Sequence, residues 1–146
     1  MIAIGCDHAA VELKRAVMAH LDGQGIAYLN LGTDGDPCDY PDMAKAVAEK
    51  ITSGECERGI LLCGTGIGMS MAANKIKGIR AAVCSDEFSA KYTRLHNDAN
   101  ILCMGARVID EEKAKEFLDI FLNTPFSEGE NHIRRIGKLE RSRSEQ

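Results

Sequence analysis

The segment ILLCGTGIGMSMAANK (residues 60–75) contains a complete strand–turn–helix unit. Its first three residues form a short apolar run typical of a buried strand, and a glycine-rich turn follows at residues 64–68. A helix is predicted from about residue 67 to residue 75. Cys63 lies between the strand and the turn. A thiol is therefore placed where the chain leaves the predicted strand.

The same order of strand and helix is repeated on both sides of this segment. Apolar runs bounded by glycine, proline and polar residues predict the strands, and apolar residues at helical spacing predict the helices. The predicted strands comprise residues 2–4, 27–31, 60–62, 81–83 and 101–104, and the predicted helices residues 9–21, 41–51, 67–75, 86–95 and 110–122. Such alternation favours a single doubly wound, Rossmann-like α/β domain over residues 1–146, with a five-stranded, mostly parallel sheet.

A further helix is predicted after Pro125. Residues 126–146 contain no predicted strand, and Ile133, Ile136 and Leu139 recur there at helical spacing. We expect a C-terminal helix and a polar tail in this region, packed on a partner subunit.

Composition limits the class of protein. The chain has 146 residues, of which 45% are hydrophobic and 27% charged, and no apolar run approaches the length of a membrane span. The amino terminus has no basic, long apolar stretch of a secretory signal, so we expect a cytoplasmic protein with its six cysteines reduced. A net charge of -4 argues against nucleic acid and acidic membranes as partners.

The position of Cys63 is typical of an active site. Backbone N–H groups and the positive end of a helix dipole favour a thiolate and bind an anion. Glycines in the turn let the backbone approach a ligand, which predicts a site for a phosphate or an oxyanion. The turn lacks the Gly-Lys-Ser/Thr of a Walker sequence and the third glycine of a dinucleotide fingerprint. The other interpretation is a small, buried, apolar side chain.

Further polar groups stand at the ends of predicted elements. Asp7 and His8 follow the first strand, His96 lies where the fourth helix gives way to the fifth strand, and Arg107 follows that strand. Each has a structural alternative: a helix cap for Asp7, a surface position for His96 and an ordinary ion pair for Arg107. Their shared placement at element ends favours a common functional site.

Five motifs give the chain a family resemblance. They are GCDHAA (residues 5–10), CDYPD (38–42), CGTGIGMSMAANK (63–75), RLHNDANILCMGARV (94–108) and NHIRRI (131–136). Together they resemble the ribose-5-phosphate isomerase B family, which is grouped with the galactose-6-phosphate isomerase subunits, over about residues 1–140.

The resemblance implies an activity and an assembly. The expected activity is the interconversion of D-ribose 5-phosphate and D-ribulose 5-phosphate, a step of the pentose phosphate pathway, with no cofactor and no metal. The expected assembly is a homodimer with active sites at the subunit interface, and pairing into a tetramer stays open.

The resemblance also implies roles for single residues. Cys63 matches the base of the cysteine-using branch, since the other branch has a glutamate where this chain has Met69. His96 matches the group that assists opening of the sugar ring, with Asp7 and Thr65 also expected to take part in catalysis. The expected substrate contacts are Asp7, His8, Gly64, Thr65, Gly66, Ile67, Gly68, Asn97, Arg107, Asn131, His132 and Arg135.

One position departs from the family pattern. Many members have an arginine where this chain has Asn131, so we expect an altered phosphate affinity or preferred sugar length. Arg134 is a candidate replacement, although neighbouring residues of a helix point in different directions.

Three alternatives stand beside the pentose activity. The first is isomerisation of a hexose 6-phosphate, such as allose or galactose 6-phosphate, by the same mechanism. The second, of another class, is a phosphosugar-binding module without turnover, although a pure binder needs neither Cys63 nor His96. The third is a redox role for Cys63, which has no second thiol close by in sequence.

Overall fold

The computed structural model describes residues 1–141, and the last five residues of the predicted tail lie outside the described residues. All ten predicted strands and helices are found, with ends that differ by at most two residues. The strands are β1 (Ile2–Cys6), β2 (Tyr28–Gly32), β3 (Arg58–Cys63), β4 (Ala81–Val83) and β5 (Ile101–Gly105). The helices are α1 (Val11–Gly23), α2 (Tyr40–Thr52), α3 (Ile67–Ala73), α4 (Glu87–Asn97), α5 (Glu111–Asn123) and α6 (Glu130–Leu139).

The first helix begins later than predicted. A single 3₁₀ turn (His8–Ala10) separates β1 from α1, and the Asp7 carboxylate caps this turn by accepting the Ala9 N–H at 3.0 Å. The cap satisfies an N–H group that has no partner within the turn. The chain therefore changes direction directly after β1, which places Asp7 and His8 at the edge of the sheet.

The five strands form one sheet in the order β2-β1-β3-β5-β4, and every pair of neighbours is parallel. Right-handed crossovers place a helix on one face when the chain moves one way along the sheet, and on the other face when it moves back. Accordingly α1, α4 and α5 cover one face, whereas α2 and α3 cover the other.

The core is divided between these two faces. Along β3 the side chains alternate, so Ile60 and Leu62 pack under α1 and α5, and Leu61 and Cys63 pack under α2 and α3. All of β3 except Arg58 is buried, as expected for the middle strand of a parallel sheet.

The strand order locates a crevice at the carboxyl edge. The connections leaving β1 and β3 go to opposite faces, so the helices separate between these neighbouring strands. Ligands of doubly wound sheets bind at such a point, beyond the carboxyl ends of the strands. In this chain Asp7 and Cys63 are the residues found there.

The terminal helix α6 confirms the predicted C-terminal helix, and it lies outside the alternating pattern. None of its side chains is buried, and Ile133 and Leu139 are largely exposed. Among residues 1–141, no helix is long and apolar enough to cross a membrane.

Candidate active site

Cys63 is the last residue of β3, and its side chain is buried with 6% exposure. The sulfur accepts a hydrogen bond from the Gly66 N–H, with a donor–acceptor distance of 3.1 Å. A thiol that only filled space in the core would have apolar neighbours on every side. Here a backbone donor points at the sulfur, and this arrangement stabilises negative charge on it.

The glycine-rich turn is held tightly against the end of β5. Gly66 has a φ of +81°, a left-handed conformation that glycine adopts without a steric penalty. A side chain on Gly105 would collide with the turn, because a Cβ there would lie 2.5 Å from the carbonyl carbon of Thr65. The Thr65 hydroxyl accepts the Ile67 N–H at 3.2 Å and so closes the turn where α3 begins.

Asp7 and His8 lie beside this turn. The Asp7 N–H donates to the Leu62 carbonyl at 3.1 Å, which fixes the end of β1 one residue from Cys63. His8 Nδ1 accepts the Cys38 N–H at 3.4 Å, so the ring carries its proton on Nε2 when neutral. Both the cap role of Asp7 and its placement in the crevice are thus observed.

Arg107 completes this side of the crevice. Its N–H donates to the Gly64 carbonyl at 3.0 Å, and a Cβ on Gly64 would lie 3.5 Å from Arg107 Nη1. The guanidinium therefore lies over the glycine-rich turn. No ion pair is recorded for Arg107 among the described residues, and its exposed charge is available to an anion.

The sequence analysis missed Tyr40. A Cβ on Gly68 would lie 2.6 Å from the Tyr40 ring, so this ring packs on the turn, with 41% of the residue exposed. The motif CDYPD was used only for the family resemblance and for the start of α2. The motif contains no signal that Tyr40, the first residue of α2, contacts the turn that follows β3.

The remaining predicted residues form a second group on α4 and α6. The rings of His96 and His132 are stacked, with centroids 4.1 Å apart and an angle of 12° between their planes. Desolvation, followed by the nearby charges of His96 and Arg135, lowers the pKa of His132 below its ordinary value. Asn97 ends α4, and Asn131 stands in the first turn of α6.

The two groups lie at opposite edges of the sheet. Asn100, three residues after α4, accepts the Gly59 N–H at the start of β3, whereas Cys63 ends the same strand. Six strand residues span ~16 Å. Since α4 runs antiparallel to the strands, its carboxyl end meets the amino edge. One chain therefore brings Cys63 together with Asp7, His8 and Arg107 but not with His96.

The other cysteines are poor candidates for a base. None of the six is in a disulfide. Burial raises the pKa of the Cys6 thiol to about 11 and that of Cys84 to about 12, and it raises the pKa of Cys103 well above its usual range. These thiols stay protonated near neutral pH. Cys6 also ends a strand at this edge, but its pKa is raised, whereas the Cys63 sulfur accepts the Gly66 N–H.

The crevice indicates the class of protein. Its groups can transfer a proton and bind an anion, and its turn lacks the third glycine of a dinucleotide fingerprint. The crevice at the carboxyl edge of this α/β fold is thus suited to a small anionic substrate. Residues 2–139 match the family described as Ribose/Galactose Isomerase, and the chain belongs to this family.

Individual relatives agree with this assignment. The chain is 46% identical to ribose-5-phosphate isomerase B of Escherichia coli, over 92% of this chain and 91% of that protein. It is 42% identical to D-erythrulose-4-phosphate isomerase of Pectobacterium atrosepticum, over 99% and 98% of the two chains. It is 38% identical to the galactose-6-phosphate isomerase subunit LacB of Clostridium acetobutylicum, over 95% and 83%.

A solved structure supports the fold as well. The ribose 5-phosphate isomerase of Thermotoga maritima superposes with a TM-score of 0.93 at 51% identity, covering 95% of this chain and 96% of that one. The protein is therefore an aldose–ketose isomerase of this family.

Proposed function

We propose that the protein interconverts D-ribose 5-phosphate and D-ribulose 5-phosphate, with Cys63 as the base. The observation that carries this proposal is the buried Cys63 thiol in the crevice, with the Gly66 N–H 3.1 Å from its sulfur. Relatives named for ribose 5-phosphate, at 46% and 51% identity, favour the pentose. Six unbonded cysteines suit a reducing compartment, and we propose the cytoplasm as the site of action.

The reaction needs a base and an anion-binding turn together. Moving a proton between C1 and C2 of the sugar passes through a cis-enediolate, in which negative charge grows on the oxygen next to the carbon that loses its proton. The Cys63 thiolate takes the proton from C2 and returns it to C1, and the proton of the C2 hydroxyl moves to the C1 oxygen, so that C1 becomes the hydroxymethyl carbon and C2 the ketone. The N–H groups of Gly66 and Ile67 serve Cys63 and Thr65, so the other N–H groups of the turn are the ones suited to bind the developing oxyanion. Removing one such donor typically costs ~10²-fold or more in rate.

Phosphate binding and ring opening use the remaining groups. Arg107 and His8 in the crevice, with Arg135 on α6, are suited to bind the phosphate and align C2 with the thiolate. An imidazole can both donate and accept a proton, so His96 is suited to transfer the proton that opens the furanose ring, with Asp7 assisting.

A complete site needs a second copy of the chain. Cys63 and His96 lie at opposite edges of one sheet, so we propose a homodimer in which each subunit supplies the α4 and α6 group to its partner's crevice. Exposed apolar side chains beside the turn support this assembly: Ile67 is 49% and Met71 63% exposed on α3, and Ile133 is 53% exposed on α6.

A substrate panel tests the activity. We expect the purified protein, without added metal or nucleotide, to turn over ribose 5-phosphate faster than allose 6-phosphate, galactose 6-phosphate or D-erythrulose 4-phosphate in coupled assays. Turnover of ribose 5-phosphate alone would establish the pentose. A higher kcat/KM for another sugar would overturn the substrate assignment and make Asn131 the first residue to exchange for arginine.

The names of two relatives make two other sugar phosphates candidate substrates. One relative is named for D-erythrulose 4-phosphate and another for galactose 6-phosphate. These two sugars differ from ribose 5-phosphate in the number of carbon atoms. Binding of these sugars without turnover of any would instead favour the phosphosugar-binding module.

His96→Asn is expected to separate ring opening from proton transfer. Ribose 5-phosphate is mostly ring-closed in water, whereas D-erythrulose 4-phosphate has its terminal hydroxyl blocked by phosphate and is open-chain. We therefore expect kcat to fall ~10²-fold for the pentose, the lower end of the range for acid–base catalysis, and much less for the four-carbon sugar. Steady-state kinetics on both sugars measure the ratio.

His20→Asn is the matched control, because His20 pairs with Asp119 on the outside of α1 and α5. It should leave both rates unchanged. Equal losses on the two sugars in His96→Asn would remove His96 from ring opening.

A further inference from the structure

The helix α6 carries His132 and Arg135 and lies at the surface of the described residues. No side chain of α6 is buried. Among the described residues, the contacts that connect this region to α4 and its surroundings include the following three. The Ser127 N–H donates to the Leu95 carbonyl at 3.1 Å, the His132 ring stacks on His96, and Glu140, directly after α6, pairs with Arg80. The second of these contacts joins two predicted site residues.

The carboxyl end of α4, which carries His96 and Asn97, also depends on side-chain partners. The last carbonyls of a helix have no partner within the helix. Asp98 ends the helix in a left-handed conformation with a φ of +47°, an uncommon one for a residue other than glycine. Buried Arg94 donates to the Asp98 carboxylate at 2.7 Å and to the Ala99 carbonyl at 2.7 Å.

Arg80 is the residue that joins these two regions. Its Nε lies 3.1 Å from the Asn97 carbonyl oxygen, and its Nη2 lies 2.9 Å from the Asp98 carbonyl oxygen. Its Nη1 donates to Glu140 Oε1 at 2.6 Å. Only 20% of the Arg80 side chain is exposed. A guanidinium serves these partners at once because its donors form a planar fork, and a lysine ammonium cannot span them.

We infer that Arg80 is a positioning residue, which sets α6 against the end of α4 and thereby holds the His132 ring on His96 and Arg135 near both. Arg80 is not itself a predicted substrate contact, and it meets the predicted contact Asn97 at its backbone carbonyl, so it acts through the residues that it holds. The inference rests on the proposed function, in which this group completes the crevice of a partner subunit. Without Arg80, we expect His96, His132 and Arg135 to lose their positions relative to one another.

Two variants test separately the contact of Arg80 with Glu140 and its contacts with the end of α4. Glu140→Gln weakens only the contact between Arg80 and Glu140, the residue that follows α6. The helix α6 carries Arg135, a proposed phosphate contact. We expect the KM of Glu140→Gln for ribose 5-phosphate to rise about threefold to tenfold, as loss of a half-buried ion pair would produce, with kcat within twofold of wild type. Arg80→Gln frees the end of α4 as well, so we expect KM to rise and kcat to fall about tenfold or more, because His96 is displaced.

Ring resonances provide a readout that does not depend on turnover. Stacked imidazoles shift each other's ring protons, so NMR of the full-length protein should show the His96 and His132 signals moving together in both variants. The Arg80→Lys variant keeps the charge but not the fork. It should restore the KM toward the wild-type value without restoring kcat.

Arg58→Gln is the matched control. Arg58 is another half-buried arginine at the amino edge, whose Nη1 donates to the Phe121 carbonyl of α5 at 3.2 Å. This variant should lower thermal stability with KM and both ring signals unchanged. Unmoved ring signals and an unchanged KM in Glu140→Gln and Arg80→Gln would overturn the inference. If the wild type turned over no phosphosugar, the proposed function would fail, while the ring signals would still decide the role of Arg80.

Discussion

Replacing Cys63 by alanine is expected to lower kcat for ribose 5-phosphate by about 10³-fold or more, because loss of a positioned base typically costs 10²- to 10⁴-fold. The proposed phosphate contacts lie on other residues, so the affinity for the sugar phosphate should stay within a few-fold of wild type. Coupled kinetics measure the first effect, and calorimetric titration of the inactive variant with ribose 5-phosphate measures the second.

Two further variants show whether the loss is chemical. Cys63→Ser keeps an acceptor for the Gly66 N–H and nearly the same volume, but a hydroxyl is a far weaker acid than a thiol. We expect it to be as inactive as Cys63→Ala. Cys56→Ala removes a buried thiol from the segment before β3 and should retain full activity. Substantial turnover in Cys63→Ala with normal KM would exclude Cys63 as the base.

A heterodimer of two inactive chains is expected to regain activity. When a Cys63→Ala subunit pairs with a His96→Asn subunit, one of the two sites receives both substitutions, and the other receives an intact crevice and an intact α4 and α6 group. Tag-selected heterodimers should therefore show about half of the wild-type activity, as two-fold symmetry requires for sites shared between subunits. Neither parent should approach this value on ribose 5-phosphate.

The matched control pairs two substitutions from the same group. A heterodimer of Cys63→Ala with Asp7→Asn has one damaged crevice residue in each site, so it should stay inactive. If His96 served the crevice of its own chain, the first heterodimer would be inactive as well. Recovery in the first pair and not in the second would establish the exchange between subunits.

Most of the fold could be predicted from local patterns. Short apolar runs followed by helical spacing gave every strand and helix, because a parallel sheet buries its strands on both faces and leaves amphipathic helices outside. Cys63 could be placed for the same reason, since a residue that closes an apolar run in such a fold lies at the carboxyl edge. The start of α1 was less accurate, because the Asp7 cap shortens it.

Longer-range geometry could not be predicted in this way. Periodicity does not give strand order, so nothing in the sequence placed β5 between β3 and β4. His96 stands at the end of a helix, and that end lies at the amino edge, away from Cys63; motif spacing contains no such information. The contact of Tyr40 with Gly68 likewise joins segments from α2 and α3 whose proximity follows only from the crossovers.

The separation of the two groups has an evolutionary consequence. Cys63, the proposed base, is anchored in the buried middle of the sheet, where a substitution disturbs the core. In contrast, α6 has no buried side chain, so we expect replacement at Asn131 or Arg134 to have little effect on folding. Under the proposed function, substitutions on this peripheral helix would change which sugar is accepted, while the base and the turn stay the same. A family whose members are named for four-, five- and six-carbon phosphates is what such a division of labour would produce.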